Sequence, residues 1–287
     1  MRVAEFPARV RRSLAARYET YRWRAFEAVK PRYRRRFGAP KATVFVFGCQ
    51  RSGTTHLERL FRADPRSVVH GEFSDLSIRP DKTVWRPFDE MDRILNATPG
   101  AYVVARSLLA SHLVPQVMDR WPTASAVWMF RDANAVVDSM MRKWGDQFHP
   151  ISERVESGAD GSWDLRALWA DIETEARARA PEATGDQRQR DIYALFWLRR
   201  NQLVFDLALP ENDRVILADY KALVRDPVGL QNQALRLAGA EPARWRYPLE
   251  TRGGDPRSKP KPRFSDPIQA DCDALYSRLC TATDDPS

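Results

Sequence analysis

Cysteine is scarce: Cys49, Cys272 and Cys280 are the only ones in 287 residues. Three is too few, and odd in number, for a disulfide framework. A helix through residues 268–280 sets Cys272 and Cys280 about 12 Å apart along its axis, beyond the roughly 7 Å between Cα atoms that a disulfide tolerates. Histidine is scarce too, with four residues and no C-x-x-C or H-x-x-x-H spacing, so no metal site is expected. No apolar run approaches the ~18 residues of a membrane-spanning helix. The N-terminus lacks the apolar core followed by small residues that marks a secretory signal. These absences lead to the expectation of a reduced, cytoplasmic, metal-free protein. What is present is ordinary: 43% hydrophobic and 29% charged residues exclude a disordered or collagen-like chain. The length suits one large α/β domain or two small ones.

Negative charge is scarce at one end only. Residues 1–41 hold 13 Lys and Arg against 3 Asp and Glu, whereas the remainder is close to balanced, so the formal charge of +8 belongs to an N-terminal arm. Arginines there alternate with Tyr18, Tyr21, Trp23, Phe26, Tyr33 and Phe37, and Phe6, Val10 and Leu14 recur at helical spacing. A basic amphipathic helix of this kind suits an anionic membrane surface, which would make the protein peripheral at the inner face. It equally suits packing on its own domain. Nothing base-reading accompanies it, so no specific nucleic acid is expected. Residues 1–40 are thus read as a basic helical arm and 41–287 as the main domain.

From Thr43 the pattern changes. Thr43–Phe47 (TVFVF) is a short apolar run rich in β-branched and aromatic residues, suited to a strand buried on both faces of a parallel sheet. Ser67–His70, Ala101–Ala105, Ala124–Phe130 and Arg214–Ala218 are further strand candidates. Between them lie helical stretches: one marked by Leu57, Leu60 and Phe61 and ended by Asp64-Pro65, then Ser111–Trp121, Ala133–Trp144, Asp191–Leu209 and Pro227–Ala238. This alternation predicts a doubly wound parallel sheet flanked by helices, a three-layer α/β architecture of the P-loop kind. Residues 145–190 interrupt it with a polar loop, Gly145–Ser162, and a helix, Trp163–Ala180, expected to form an acceptor-side insertion or a peripheral packing unit. After Ala240 the chain reads as loop, with a basic Gly/Pro-rich stretch, Arg252–Pro262, before a short C-terminal helix.

The first strand runs directly into Gly48-Cys49-Gln50-Arg51-Ser52-Gly53-Thr54-Thr55 and then a helix. Strand, glycine-bearing loop and helix together grip phosphate, because loop N–H groups converge on the anion and the helix N-terminus adds about half a positive charge. Thr54 stands where a nucleoside-triphosphate P-loop carries its lysine, and Arg51 supplies a cation instead. A plain tight turn is the alternative. A second signal is Phe130-Arg131-Asp132 at the end of a buried strand, with Ser139 eight residues after Arg131. Open α/β sheets bind ligands at that edge, although Arg131 and Asp132 also read as a structural ion pair.

Together, Arg-Ser-Gly-Thr-Thr after strand one and Phe-Arg-Asp with the later serine resemble the sulfotransferases that use 3′-phosphoadenosine 5′-phosphosulfate (PAPS). The resemblance spans roughly Lys41–Lys261. It includes Asp219-Tyr220-Lys221-Ala222-Leu223-Val224-Arg225-Asp226-Pro227, where Lys221 and Ala222 replace two family carboxylates. It implies that Arg51, Ser52, Gly53, Thr54 and Thr55 bind the 5′-phosphosulfate, that Arg131 and Ser139 bind the 3′-phosphate, and that Tyr220 meets the adenine. Arg252, Lys259 and Lys261 are the choices for a basic C-terminal contact. After strand two, Gly71-Glu72 is similar to an element of protein-tyrosine sulfotransferases whose glutamate is the base, which implies Glu72 as base with His70 its rival. Alternation along a strand puts those two on one side. Arg106, at the end of strand three, is expected to steady the sulfonate or to pair with Glu72.

The activity so implied is metal-free, in-line sulfuryl transfer from PAPS to an acceptor hydroxyl on a carbohydrate, lipid-linked glycan, phenol or peptidyl tyrosine. Two readings compete with it: a P-loop small-molecule kinase, and a non-catalytic nucleotide- or membrane-binding protein acting through the basic arm.

Overall fold

A computed structural model describes residues 26–78, 85–145, 165–243 and 264–284. The Phe6–Leu14 stripe, most of the expected polar loop and all of Arg252–Pro262 lie outside those residues. β1 (Thr43–Gly48), β2 (Ser67–His70), β3 (Tyr102–Arg106), β4 (Ser125–Phe130) and β5 (Val215–Asp219) form one sheet in the order β2-β3-β1-β4-β5, every neighbouring pair parallel. The expected strands fall within a residue of these bounds. β1 is central, and Val44 to Phe47 are wholly buried, which is why it reads as an unbroken apolar run.

Alternate residues of the strands face opposite layers. Phe45, Phe47, Trp128 and Phe130 pack on one face against α3 (Phe88–Ala97), α4 (Val114–Arg120), α5 (Ala133–Trp144), α6 (Leu165–Arg179), α7 (Gly185–Asp206) and α10 (Asp266–Asp284). Val44, Val46, Val127 and Met129 pack on the other face against α2 (Thr54–Ala63), α8 (Tyr220–Arg225) and α9 (Pro227–Leu237). The fold is thus the expected doubly wound three-layer α/β arrangement. Helix α7 buries every side chain from Asp191 to Trp197, since it lies between α5, α6 and α10 rather than on the surface.

Several boundaries differ from expectation. α7 starts six residues earlier than its apolar pattern, because Gly185–Arg190 is a polar first turn and a half. α3 was not foreseen, although Pro87 precedes it and Asp89 and Glu90 sit in its first turn. α8 was not foreseen either: its six residues are capped by Asp219, whose carboxylate accepts from the Lys221 N–H. The C-terminal helix runs 19 residues rather than being short. Both Cys272 and Cys280 lie on it, and neither they nor Cys49 form a disulfide.

Part of the basic arm is docked. Residues 26–34 form a helix, α1, whose Lys30 is 3% exposed. The Lys30 ammonium donates to the Arg62 carbonyl at 2.6 Å, at the negative end of α2, and to Ser67 Oγ at 3.0 Å. The Arg34 guanidinium donates to the Ser67 carbonyl at 3.2 Å. These contacts lie where the strands begin.

Candidate functional site

At the opposite edge, where the strands end, β1 leads into α2 on one face while β4 leads into α5 on the other. A crevice opens between strands whose connections diverge in this way. The loop after β1 lies in it. Gly48 has φ 129°, and a Cβ there would stand 2.2 Å from the Met129 carbonyl oxygen, so only glycine lets β1 and β4 run side by side into the crevice. Gly53, with φ 98°, heads α2 without any side-chain cap. The amides of Thr54 and Thr55 therefore face the crevice mouth at the positive end of the helix. Ser52 is fully buried, and neither its Oγ nor the Gln50 Oε1 has a hydrogen-bond partner among the described residues. Buried polar atoms seldom lack partners, and both of these belong to the loop between β1 and α2.

Positive charge gathers on both walls. Arg51, in the left-handed region at φ 67°, donates from Nε to Ser139 Oγ of α5 at 3.0 Å. Its guanidinium carbon lies 5.8 Å from the Trp144 ring centre. The Arg131 guanidinium lies 4.4 Å over the Tyr220 ring. That ring fills the space beside Gly53, where a Cβ would come within 2.4 Å of it. Tyr220 thus joins the two walls. Lys143 stands 5.2 Å over Trp144. Burial, then repulsion from Arg131 and Arg142, holds Arg51 below the usual arginine range; burial, then Arg51, does the same to Lys143. Among the described residues no carboxylate pairs with Arg51, Arg131 or Lys143, whereas Arg142 has Asp138. The expected Arg131–Asp132 ion pair does not form: the Asp132 carboxylate caps α5 by accepting from the Ala135 N–H at 3.0 Å.

The edge beyond β1 carries carboxylates. Strand β2 stops at His70, so strand alternation does not extend to Glu72, which lies in the following loop. Glu72 is 8% exposed. Its oxygens accept from the Leu108 N–H at 2.9 and 3.0 Å and from Arg106 Nη1 at 3.4 Å. Arg106 in turn donates from Nε to Glu58 Oε2 of α2 at 2.5 Å. Burial pushes Glu72 above the usual carboxylate range, outweighing Arg106 and the amides of Leu108 and Leu109. Burial acts in the same direction on Glu58, but Arg106 and Arg62 together hold it below that range. His70 is half-buried, its Nε2 has no partner among the described residues, and burial keeps it below the usual imidazole value. Both base candidates therefore sit two strands from the anion loop, and Arg106 is committed to two carboxylates.

Sequence reasoning missed Arg200. It lies on α7, fully buried, and donates to the carbonyls of Gly48 and Leu108. Burial lowers it to about 10. It thereby ties the turn after β1 to the turn whose amides hold Glu72, while Ser111 Oγ donates to the Leu108 carbonyl at 2.7 Å and accepts from the Gly48 N–H. Trp144, Glu58 and Lys143 were missed as well. Only helical phase relative to α5 or α2 brings them to the site, and no local motif marks that. Cys49 beneath the loop is inert, its thiol pushed up to about 12 by burial. Arg252, Lys259 and Lys261 lie outside the described residues. Among the described residues no group of three His, Cys, Asp or Glu is placed to hold a metal ion, and no helix is long and apolar enough to cross a membrane.

The sequence matches no protein-family profile and no curated protein. The fold is similar to solved structures. A sulfotransferase from Alicyclobacillus acidocaldarius is 15% identical, with 85% of this chain and 94% of that one covered and a TM-score of 0.46. Mouse sulfotransferase SULT7A1 complexed with PAP is 14% identical, with 71% and 60% covered and a TM-score of 0.40. Sulfotransferase STF1 from Mycobacterium tuberculosis H37Rv is 12% identical, with 86% and 76% covered and a TM-score of 0.36.

Proposed function

We propose that this chain transfers a sulfuryl group from PAPS to a hydroxyl of an acceptor. The observation that carries the reading is the pair of arginines on the two walls of one crevice, Arg51 and Arg131, without a carboxylate partner among the described residues and beside an uncapped helix N-terminus. Uncompensated, partly desolvated cations are stable only facing solvent or an anion. The walls and the helix terminus together suit a nucleotide with anionic groups at both ends, and the partnerless Ser52 Oγ has a proton to donate there. Thr54 in the lysine position favours a transferred group of low charge over a triphosphate.

PAPS supplies an activated sulfonyl group and leaves as a bisphosphate. In this reading the amides of Gly53, Thr54 and Thr55 and the Ser52 hydroxyl hold the 5′ end. They gain strength as charge moves onto the leaving oxygen. Arg131 and Ser139 hold the 3′-phosphate, and the Tyr220 ring lies beside the adenine. A base at the β2 end takes the acceptor proton: Glu72, whose burial favours the protonated form, or His70, which burial keeps neutral. Arg106 then orients Glu72. The acceptor is a carbohydrate, lipid-linked, phenolic or tyrosyl hydroxyl, and the basic arm offers a surface for an anionic membrane.

The test is calorimetric titration with 3′,5′-bisphosphoadenosine. Tight binding indifferent to EDTA, weakened at least about tenfold by Arg131→Ala, supports the reading. Preference for ATP with magnesium overturns it in favour of a kinase. Mass spectrometry of acceptors incubated with enzyme and PAPS, seeking the gain of one sulfonyl group, then identifies the substrate.

A further inference from the structure

Arg200 takes no part in the chemistry proposed above, yet the fold buries it completely. An aliphatic chain of similar volume would fill the same space without the cost of desolvating a charge. We propose that Arg200 is a positioning residue: together with Ser111 it clamps Gly48, where the anion loop begins, to Leu108, whose amide holds Glu72, and so fixes the donor site and the candidate base in one geometry. The inference rests on the sulfuryl-transfer reading above and deepens it.

Three observations carry it. The first is where the sheet stops. The ladder between β1 and β3 ends with Val46 beside Arg106, and one further bond runs from the Ser107 N–H to the Val46 carbonyl at 3.3 Å. Gly48 and Leu108 lie past that end. Sheet pairing between β1 and β3 no longer ties the two chains there, and buried peptide groups need other partners.

The second is the set of bonds that replaces the ladder. Arg200 Nη2 donates to the Leu108 carbonyl and, at 3.4 Å, to the Gly48 carbonyl. Ser111 Oγ donates to the Leu108 carbonyl at 2.7 Å and accepts from the Gly48 N–H at 3.3 Å. Gly48 and Leu108 are therefore each held by both side chains. The Leu108 N–H in turn donates to the two Glu72 oxygens at 3.0 and 2.9 Å. An unbroken series of hydrogen bonds thus leads from the head of the anion loop to the Glu72 carboxylate.

The third is charge. Burial lowers Arg200 only to about 10, so it stays protonated at neutral pH, and it attracts Glu72. The guanidinium opposes the burial that pushes Glu72 up and favours the ionised carboxylate that a base must present. Both effects act through the backbone and the field, with no contact to a reacting group required.

The experiment reads two properties of the full-length protein that belong to different places. One is affinity for 3′,5′-bisphosphoadenosine, by calorimetry. The other is the titration of the Glu72 carboxyl, by NMR of isotopically labelled glutamate assigned with Glu72→Gln. Arg200→Met should weaken binding about fivefold or more and move the Glu72 titration to higher pH. Ser111→Ala, which alters no charge, should move both readouts in the same directions by less. Arg200→Lys keeps the charge on a side chain one bond shorter, and should restore the titration while affinity stays reduced. Should Arg200→Met not fold, Arg200→Lys takes its place for the affinity. An affinity within about twofold of wild type in the Arg200 variant overturns the inference and leaves the proposed function standing. So does a Glu72 titration unmoved in Ser111→Ala, which would leave only the field of Arg200 and no clamp. Wild-type protein that fails to bind the bisphosphate removes the proposed function as well.

Discussion

Glu72 shows how much of the chemistry rests on single residues. It is buried near two arginines, Arg106 and Arg200, and held by two backbone amides, yet burial prevails and keeps its proton affinity above the ordinary 4.5. The sign follows directly. The folded state binds this proton more tightly than the unfolded chain, so the group's contribution to stability is full below the unfolded value. It is lost as pH rises from about 4.5 through the folded value. Denaturant melts across that window should therefore show a downward slope that Glu72→Gln flattens. The same variant separates the base candidates. If Glu72 takes the acceptor proton, Glu72→Gln abolishes the acid limb of the rate profile while His70→Gln merely perturbs it. The reverse pattern assigns the limb to His70. At Gly53 the constraint is steric. Gly53→Ala forces a Cβ into the Tyr220 ring at φ 98°, and should cost about 1–3 kcal/mol in unfolding free energy while displacing Tyr220 from Arg131. A melting curve shows the first, and the NMR shifts of a selectively labelled Tyr220 show the second.

Among elements, α2 carries more than its first turn. Glu58, one turn below the anion loop, pairs with Arg106 of β3 and with Arg62 of its own helix. The Arg106 and Glu58 side chains are 12% and 10% exposed, so removing Glu58 leaves Arg106 with Glu72 alone. Glu58→Gln should destabilise the protein by about 1–2 kcal/mol, measured by urea unfolding, with a shift in the Glu72 window because Arg106 is then free to turn wholly to Glu72. At its other end α2 receives α1 through Lys30, whose ammonium burial lowers from 10.5 to about 8, against the opposing pull of Glu27 and Asp64. Here the unfolded chain binds the proton more tightly. Stability should rise with pH between about 8 and 10.5, and Lys30→Met should remove that rise. Most of these elements were legible. β1 announced itself by TVFVF and α5 by the stripe from Val136 to Trp144, because each buries the face its pattern exposes. Helix α8 was not legible, since six residues show no period; it exists because Asp219 caps it and Leu223 packs under α9.

Across the whole molecule, the two ends of the sheet do different work. The strand starts receive the basic arm, and the strand ends hold the candidate site. Deleting residues 1–25 should leave affinity for 3′,5′-bisphosphoadenosine unchanged within about twofold at moderate salt, because the helix that follows them, α1, docks at the end of the sheet away from the candidate site. A large loss, read by titration, would mean that the arm reaches the crevice. The two layers differ in kind as well. One face of the sheet is packed with Trp128, Trp169, Trp197 and Phe196, the other with smaller aliphatic chains around Phe61. Arg200 crosses from the heavier layer to brace the loop.

The amino-acid order alone settled the strands, the parallel α/β class and the loop from Gly48 to Thr55, because burial on both faces, turn chemistry and helix starts are local demands written within a few residues. It also brought Arg131, Ser139 and Tyr220 into view as neighbours of that loop. Which way Arg51 points, that Glu72 belongs to a turn rather than a strand, and that Arg106 is shared between two carboxylates were decided only by packing. Those facts depend on helix phase and on residues 34, 48 and 88 positions apart in the chain, and charge pairs over such separations leave no pattern in the sequence between them.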